Sequence, residues 1–190
     1  MRLFVALAPP PAVVSDLDTA CARFRPARGD LRWTSTEAWH ITLTFLGEVG
    51  EVSLDRLLPR LERAARRHKA LRLSLRGAGA FPSPRRANVL WTGLAGDRKA
   101  LGELAATVGA AARRAGAAPP DAGRGFRPHL TLARCRAPAD VGPIVADLED
   151  YAGPSWLAEE IYLIRSRPTG LPRFETLGTY KLSPAEVRPG

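Results

Sequence analysis

The sequence predicts an α+β fold, and three features of it carry this prediction. Short segments in which apolar and polar residues alternate are typical of strands that have one buried face. Between them lie segments whose apolar residues recur every three or four positions, as on amphipathic helices. Several strands are joined by short loops, which favours antiparallel or mixed pairing because parallel strands need long crossovers. We therefore expect two antiparallel or mixed sheets that flank a central cleft, with helices on their outer faces.

The chain begins with an apolar run at residues 3–7, which predicts a buried strand. Three prolines at positions 9–11 end this strand and can open a helix, because proline is tolerated in a helix's first turn. One apolar stripe would bury that helix against a sheet, and it consists of Val13, Leu17, Cys21 and Phe24.

Residues 39–46 alternate cleanly and predict a strand with one apolar and one polar face. The predicted apolar face is Trp39, Ile41, Leu43 and Phe45, and the predicted polar face is His40, Thr42 and Thr44. Phe45 is therefore expected in the core.

The remaining elements repeat this order of strands and helices. A leucine-rich helix has Ser53 as its expected N-cap, and Pro59 should kink it or shift its start. Asp97 is expected to cap a helix in the second half. Further strands are predicted at residues 71–75, 89–94, 128–135, 161–165 and 174–182, a helix at residues 141–148, a basic loop at residues 81–86, and a linker rich in Gly, Ala and Pro at residues 116–125.

One short pattern, His-x-Thr-Leu, begins at His40 and recurs at His129. Residues two apart on a strand share a face, so each histidine stands beside its own threonine, Thr42 or Thr131. If a pseudo-two-fold relates the repeats, two imidazoles and two hydroxyls converge in one cleft. The 190 residues then form a single domain, residues 1–190, made of two pseudo-symmetric lobes that carry one His-x-Thr strand each.

Composition gives weaker indications of function. The formal net charge is +9, from 28 Lys and Arg against 19 Asp and Glu, which favours an anionic partner such as RNA. Nearly all the basic residues are Arg and Ala is abundant, so biased base usage in the coding sequence is an alternative origin. Cys21 and Cys135 are too few for a disulfide framework and lack metal-ligand spacing. The apolar run at the N-terminus is too short for a signal peptide, and we expect a soluble cytoplasmic protein that is a monomer without an obligate protein partner.

The paired motif suits phosphoryl chemistry. Opening a cyclic phosphodiester requires attacking water to lose a proton and a leaving ribose oxygen to gain one. Histidine, with an unperturbed pKa of about 6.5, can fill either role near neutral pH. Threonine hydroxyls can donate to the non-bridging oxygens. Neither a metal nor another cofactor is needed.

Five segments of the chain resemble the two-histidine (2H) phosphoesterase superfamily, specifically its RNA 2′,3′-cyclic phosphodiesterases, first named 2′-5′ RNA ligases. These segments are residues 2–7, 40–47, 89–91, 126–134 and 180–182. The resemblance implies a bilobal α+β fold and metal-independent hydrolysis of 2′,3′-cyclic phosphate RNA ends to 2′-phosphates. It also implies that His40 donates a proton to the leaving 3′-oxygen and that His129 activates water. It suggests that Arg134 helps to hold phosphate, although Arg134 has the wrong strand parity for this unless the strand ends or bulges there.

Other activities remain open at this point. The same acid–base pair could run the reverse reaction and join RNA ends through a 2′-5′ linkage. The substrate could instead be another small cyclic phosphate, such as a nucleotide or ADP-ribose cyclic phosphate, or the chain could be a basic RNA-binding module without turnover. His68 is expected to be a solvated surface residue, while Trp33 and the loop at residues 83–86 are candidates for RNA contact by position only.

Overall fold

A computed structural model describes residues 1–117, 125–167 and 172–185 of the chain. The strands are β1 Arg2–Leu7, β2 Leu31–Trp33, β3 Ile41–Glu48, β4 Leu71–Phe81, β5 Ala87–Gly96, β6 Leu130–Ala139, β7 Trp156–Ala158, β8 Glu160–Ser166 and β9 Phe174–Lys181. The helices are α1 Pro11–Ala22, α2 Glu51–Ala65, α3 Arg98–Arg114 and α4 Gly142–Asp147. The α+β class is confirmed. Most of the predicted linker at residues 116–125 lies outside the described residues.

The strands form one sheet, in the order β7-β4-β5-β6-β3-β1-β8-β9 with β2 on β6. We call β3, β1, β8 and β9 the first half-sheet, and β6, β5, β4 and β7 the second. Ladder pairings between these strands are antiparallel throughout the described residues. The expected pair of sheets is not confirmed, because β3 and β6 make the sheet continuous. They are paired only through Ile41 and Leu130, so the sheet is narrowest there.

The two half-sheets exchange strands along the chain. Helix α1 joins β1 to β3 and helix α3 joins β5 to β6, so each half-sheet contains one strand–helix–strand unit. Strand β4 follows the first unit but pairs with β5 of the second, while β8 follows the second unit and pairs with β1 of the first. Each half-sheet is therefore completed by a strand from the other part of the chain, and a cut in the linker would leave neither intact.

Helices cover one face of the sheet and form the main core with it. The predicted stripe of α1 is confirmed, since Val13, Leu17 and Cys21 are buried in this core. Helix α2 begins after Gly50 rather than Ser53, and it runs through Pro59. Asp97 lies at the N-cap of α3, as predicted, but its carboxylate accepts the backbone N–H of Arg72 instead of capping the helix. No helix in the described ranges is long and apolar enough to cross a membrane.

A smaller cluster lies on the opposite face of the first half-sheet. Phe4, Ala6 and Ile164 are buried there, with Tyr162 and Phe174 packed against them. Alternation along β1 explains the separation, because Phe4 and Ala6 point away from the face that Leu3, Val5 and Leu7 contribute to the main core. The sequence did not reveal this cluster, since all of residues 3–7 are apolar.

The predicted alternation of residues 39–46 is wrong beyond Leu43. Ala6 pairs with Thr42 and Val5 with Thr44, so β3 has one extra residue, Leu43, at that point. Such a bulge reverses the parity of every side chain that follows it. Thr44 consequently faces α3 rather than the side of His40, and its Oγ1 lies 4.0 Å from the ideal Cβ position on Gly109.

Phe45 moves to the other face for the same reason. It was predicted to be in the core but is 49% exposed, while the next residue, Leu46, is buried. The bulge thus transfers Phe45 to the face that carries the small apolar cluster.

Candidate active site

The two histidines immediately precede the point where β3 meets β6. Both were predicted within strands, but β3 begins at Ile41 and β6 at Leu130. Ile41 and Leu130 pair and are fully buried on the helix-covered face. Continuing this antiparallel register by one residue sets His40 across from Thr131, and Thr42 across from His129, on the opposite face. The four side chains of the paired motif therefore surround one residue pair, as the motif predicted.

Each imidazole is fixed by a hydrogen bond to the backbone two residues earlier. The Nδ1–H of His40 donates to the carbonyl oxygen of Ala38, and the Nδ1–H of His129 donates to that of Arg127, both at 2.7 Å. A carbonyl only accepts hydrogen bonds, so Nδ1 must carry the proton in both rings. Nε2 is then left in each ring to take up or release a proton, and both side chains are only half-buried.

A second bulge brings Arg134 to the same face. Trp91 pairs with Thr131 and Leu90 with Ala133, so Leu132 is the extra residue in β6. Leu132 is the third residue after His129, as Leu43 is after His40. The parity of β6 is reversed there, and Arg134 lies on the face of Thr131. The objection that parity raised against Arg134 is thereby removed.

Aromatic rings pack around His40 on the first half-sheet. Its ring centroid lies 4.8 Å from that of Phe4 and 5.3 Å from that of Phe174, the latter edge-on. Phe45 lies next to Phe4, with centroids 6.1 Å apart. The small apolar cluster therefore forms a wall that holds the imidazole of His40.

His129 has a different wall, built from β4 and β5. Phe81 meets its ring edge-on at a centroid distance of 5.0 Å, and Trp91 lies at 6.2 Å. The Arg127 guanidinium lies over Phe81, 5.1 Å from the ring centroid. Gly79 is required beneath Trp91, because an added Cβ would lie 2.3 Å from the indole ring. Sequence reasoning missed Phe81, Trp91 and Phe174, since only strand pairing brings them to the histidines.

Both imidazoles have pKa values below the ordinary 6.5. For His40, burial lowers the pKa most, the bond to Ala38 opposes this, and the charges of His129 and Arg134 lower it further. For His129, burial is again the largest cause, the bond to Arg127 opposes it, and the guanidinium charges of Arg134 and Arg127 lower the pKa. The site thus favours neutral histidines until an anion arrives.

The threonine hydroxyls beside the histidines are free to bind a ligand. Thr42 and Thr131 are half-buried, and within the residues that the structure describes neither hydroxyl has a hydrogen-bond partner. Other threonines differ, since Thr92 donates to the carbonyl of Gly77 and Thr107 to that of Glu103. Two hydroxyl donors are therefore available on the face of the histidines.

Two other candidate residues lie away from the histidines. His68 is not freely solvated as predicted: its Nε2 lies 2.9 Å from Thr107 Oγ1, and this contact joins the end of α2 to α3. Trp33 is half-buried and packs against the main core, with Arg25 over its ring. Across the three described ranges, no group of three or more His, Cys, Asp and Glu side chains could hold a metal ion.

Comparisons with known proteins agree with the resemblance seen in the sequence. The family model of the 2′-5′ RNA ligase superfamily matches residues 9–170. A Thermus thermophilus protein named RNA 2′,3′-cyclic phosphodiesterase is 35% identical over 200 residues, which cover 96% of this chain and 90% of the relative. A protein of the same name from Aeropyrum pernix is 32% identical over 143 residues, covering 75% of this chain and 79% of its own.

Solved structures show the same fold. A crystal structure from Thermus thermophilus superposes with a TM-score of 0.81 at 29% identity, covering 98% of this chain and all of the other. Apo E. coli LigT gives a TM-score of 0.76 at 25% identity, covering 96% and 97% of the two chains. E. coli LigT complexed with 3′-AMP gives 0.73 at 26% identity, covering 95% and 96%. The matched sequence, the shared fold and the paired His-x-Thr segments together place this chain in the 2′-5′ RNA ligase superfamily.

Proposed function

We propose that this protein hydrolyses 2′,3′-cyclic phosphate ends of RNA to 2′-phosphomonoesters, with His40 and His129 as its acid–base pair. The observation that carries the proposal is the placement of two equivalently tethered imidazoles around the Ile41–Leu130 pair. The names of the relatives, RNA 2′,3′-cyclic phosphodiesterase, support the substrate. The 3′-AMP complex of LigT supports a nucleotide at the corresponding site.

In the proposed reaction, a water molecule attacks the cyclic phosphorus while His129 Nε2 removes its proton. The bond from phosphorus to the 3′-oxygen breaks, and His40 Nε2–H gives its proton to that oxygen. The products are a 2′-phosphomonoester and a free 3′-hydroxyl. The two histidines have then exchanged protonation states, and proton exchange with solvent restores them.

The proton-donor role is assigned to His40 and the acceptor role to His129 because their surroundings differ. Two guanidiniums, of Arg127 and Arg134, lower the pKa of His129 and favour its neutral, basic form. Near His40 the rings of Phe4 and Phe174 replace such charges. Binding a phosphate anion between the two histidines raises both pKa values, which supplies the protonated acid in the complex.

Three further side chains are proposed to bind the phosphate in a cleft between the two half-sheets. Thr42 and Thr131 donate hydroxyl hydrogen bonds to the non-bridging oxygens, one from each side. Arg134 supplies a guanidinium fork that suits two phosphate oxygens at once. These contacts stabilise the negative charge that builds up on the oxygens as water attacks.

Product analysis with a nucleoside 2′,3′-cyclic phosphate tests this function. The wild-type protein should give the 2′-phosphate in the presence of EDTA, while His40→Ala and His129→Ala each lose about 10²–10⁴-fold in rate. His68→Ala is the matched control and should keep its activity, because His68 contacts Thr107 on the helical side. Unchanged turnover in His40→Ala and His129→Ala, or no turnover by the wild-type protein, would leave only a basic RNA-binding protein. Inhibition by EDTA would contradict the metal-free mechanism.

Ligation is the reverse of the same reaction and needs no further groups. A 2′-phosphate is absent from ligation products, because the 5′-hydroxyl of a second RNA takes the place of water. Water is far more concentrated than RNA ends, so hydrolysis is expected to dominate. A mixture of cyclic-phosphate and 5′-hydroxyl oligonucleotides would reveal any 2′-5′ product.

A further inference from the structure

Arg134 also belongs to a groove that runs away from the histidines. Six residues of β2, β5 and β6 line this groove, whose volume is about 630 Å³: Arg32, Asn88, Val89, Arg134, Cys135 and Arg136. Ligand sites commonly range from about 300 to 1,000 Å³, so a nucleotide fits this volume. Because the charge of Arg134 acts on the pKa values of both histidines, the groove is continuous with the proposed active site.

The groove is strongly cationic. Arg32 pairs directly with Arg134 across the β2–β6 ladder, so both side chains share the face of Thr131. None of Arg32, Arg134 and Arg136 forms an ion pair in the part of the chain that the structure describes, and all three are exposed. The nearby carboxylate of Asp30 is bound by both Nε and Nη2 of Arg28 at 2.8 Å, so its charge is already compensated.

Like charges held this close repel one another unless an anion lies between them. The first half-sheet offers no comparable cations at this face, since Phe45, Phe4 and Phe174 occupy it. A polyanion that enters the active site therefore has one favourable exit, over the second half-sheet.

We propose that this groove binds the single-stranded RNA that precedes the cyclic end, with Arg32 and Arg136 contacting the phosphates upstream of the terminal nucleotide. The inference rests on the proposed function, because it takes the cyclic phosphate to lie between His40 and His129. It adds a direction to the bound RNA and predicts a preference for oligonucleotides over mononucleotides. It also assigns RNA-binding residues outside the two His-x-Thr motifs.

The test compares uridine 2′,3′-cyclic phosphate with a short oligonucleotide that ends in the same group. The wild-type protein should have the higher kcat/KM for the oligonucleotide. In Arg32→Ala/Arg136→Ala this advantage should fall about tenfold through KM, while the mononucleotide changes less than about twofold. The log–log salt dependence of the oligonucleotide KM should also lose about 1.4 in slope, at about 0.7 per lost phosphate contact on single strands.

Arg63→Ala/Arg67→Ala is the charge-matched control. These arginines line a separate pocket between α2 and α3, on the helix-covered side of the sheet, and like the groove arginines they are exposed. The proposal requires that this variant keeps the preference for the oligonucleotide. An equal loss in both double variants would mean that net charge, and not the groove, attracts RNA.

Alkylation of Cys135 gives a readout that does not depend on turnover. Cys135 lines the groove and is half-buried, whereas Cys21 is fully buried, so a mass shift after iodoacetamide reports Cys135. Burial raises the pKa of the Cys135 thiol, so the labelling is done at alkaline pH. An oligonucleotide ending in a 2′-phosphate should slow the labelling, and the corresponding mononucleotide should not.

The outcomes separate this inference from the proposed function. If the wild-type protein hydrolyses both substrates but Arg32→Ala/Arg136→Ala behaves identically and Cys135 is not protected, the groove proposal is overturned and the phosphodiesterase stands. If neither substrate is hydrolysed but the oligonucleotide protects Cys135, the phosphodiesterase is overturned and the RNA groove stands. Absence of both hydrolysis and protection overturns both.

Discussion

The two half-sheets hold their histidines in the same way but surround them differently. In each, a histidine precedes the strand, its Nδ1–H donates to the carbonyl two residues earlier, and the third residue after it is a bulge. The fifth residue after the histidine then lies on the face of the site. In the first half-sheet this residue is Phe45, and in the second it is Arg134.

This difference shows how one backbone arrangement can support two chemical roles. Equivalent tethers fix both rings in the same tautomer, so the backbone alone does not distinguish an acid from a base. The neighbours do: His40 packs on Phe4 and Phe174, whereas His129 has the guanidiniums of Arg127 and Arg134 nearby. A cation beside an imidazole favours its neutral form, as a general base requires.

The largest expected effect separates the roles of the two histidines. With a cyclic nucleotide, His40→Ala and His129→Ala should each lose about 10²–10⁴-fold in kcat. A p-nitrophenyl phosphodiester has a leaving group that needs no protonation, so this substrate should restore most of the activity of His40→Ala and none of that of His129→Ala. Parallel thermal unfolding checks that both variants fold. Equal losses with both substrates would contradict the assignment of donor and acceptor.

The pH dependence of the wild-type protein follows from the direction of both pKa shifts. The base must be neutral and the acid protonated, so kcat/KM should be bell-shaped. Since both free-enzyme pKa values lie below 6.5, the maximum of kcat/KM is expected on the acid side of that value. The maximum of kcat should lie at higher pH, because the bound phosphate raises both pKa values.

Removing Arg134 should have the next largest effect. We expect Arg134→Ala to lose about 10–100-fold in kcat/KM, because a charge-assisted contact to phosphate disappears. The acid limb of the profile should also move to higher pH, because Arg134 no longer lowers the pKa of His129. Arg134→Lys keeps the charge without the fork, so it should retain the acid limb while recovering only part of the rate. A loss of rate without any movement of the limb in Arg134→Ala would show that Arg134 acts at a distance from His129.

The sequence predicted the histidine–threonine set correctly because alternation near the start of each strand is local. Strand register is not local, and so the bulges at Leu43 and Leu132 could not be seen. Both errors at this face, Phe45 assigned to the core and Arg134 given the wrong parity, come from that single cause. The merging of two expected sheets into one likewise depends on the pairing of Ile41 with Leu130, which sequence patterns do not specify.

A smaller effect is expected from Gly79→Ala, which acts on the second half-sheet alone. The new Cβ would lie 2.3 Å from the Trp91 indole, so the ring must move and the wall behind His129 changes. We expect a loss of about 1–3 kcal/mol in the free energy of unfolding, as for other overpacked sites, and a drop in kcat of about tenfold. Gly102→Ala is the control, since nothing lies within 4 Å of its Cβ and helix propensity improves there. A full-activity Gly79→Ala would show that His129 does not need Trp91 in its present position.

The smallest effect is expected where the two half-sheets are made alike. Phe45 is 49% exposed, so Phe45→Ala should change stability little and activity by only a few-fold. Phe45→Arg puts a guanidinium where Arg134 lies in the other half-sheet, and a cation there lowers the pKa of His40. Because His40 must be protonated to act as the acid, the basic limb of the kcat/KM profile should move to lower pH while the acid limb stays. If Phe45→Arg instead moved the acid limb, the base would be His40 and the two half-sheets would have opposite roles.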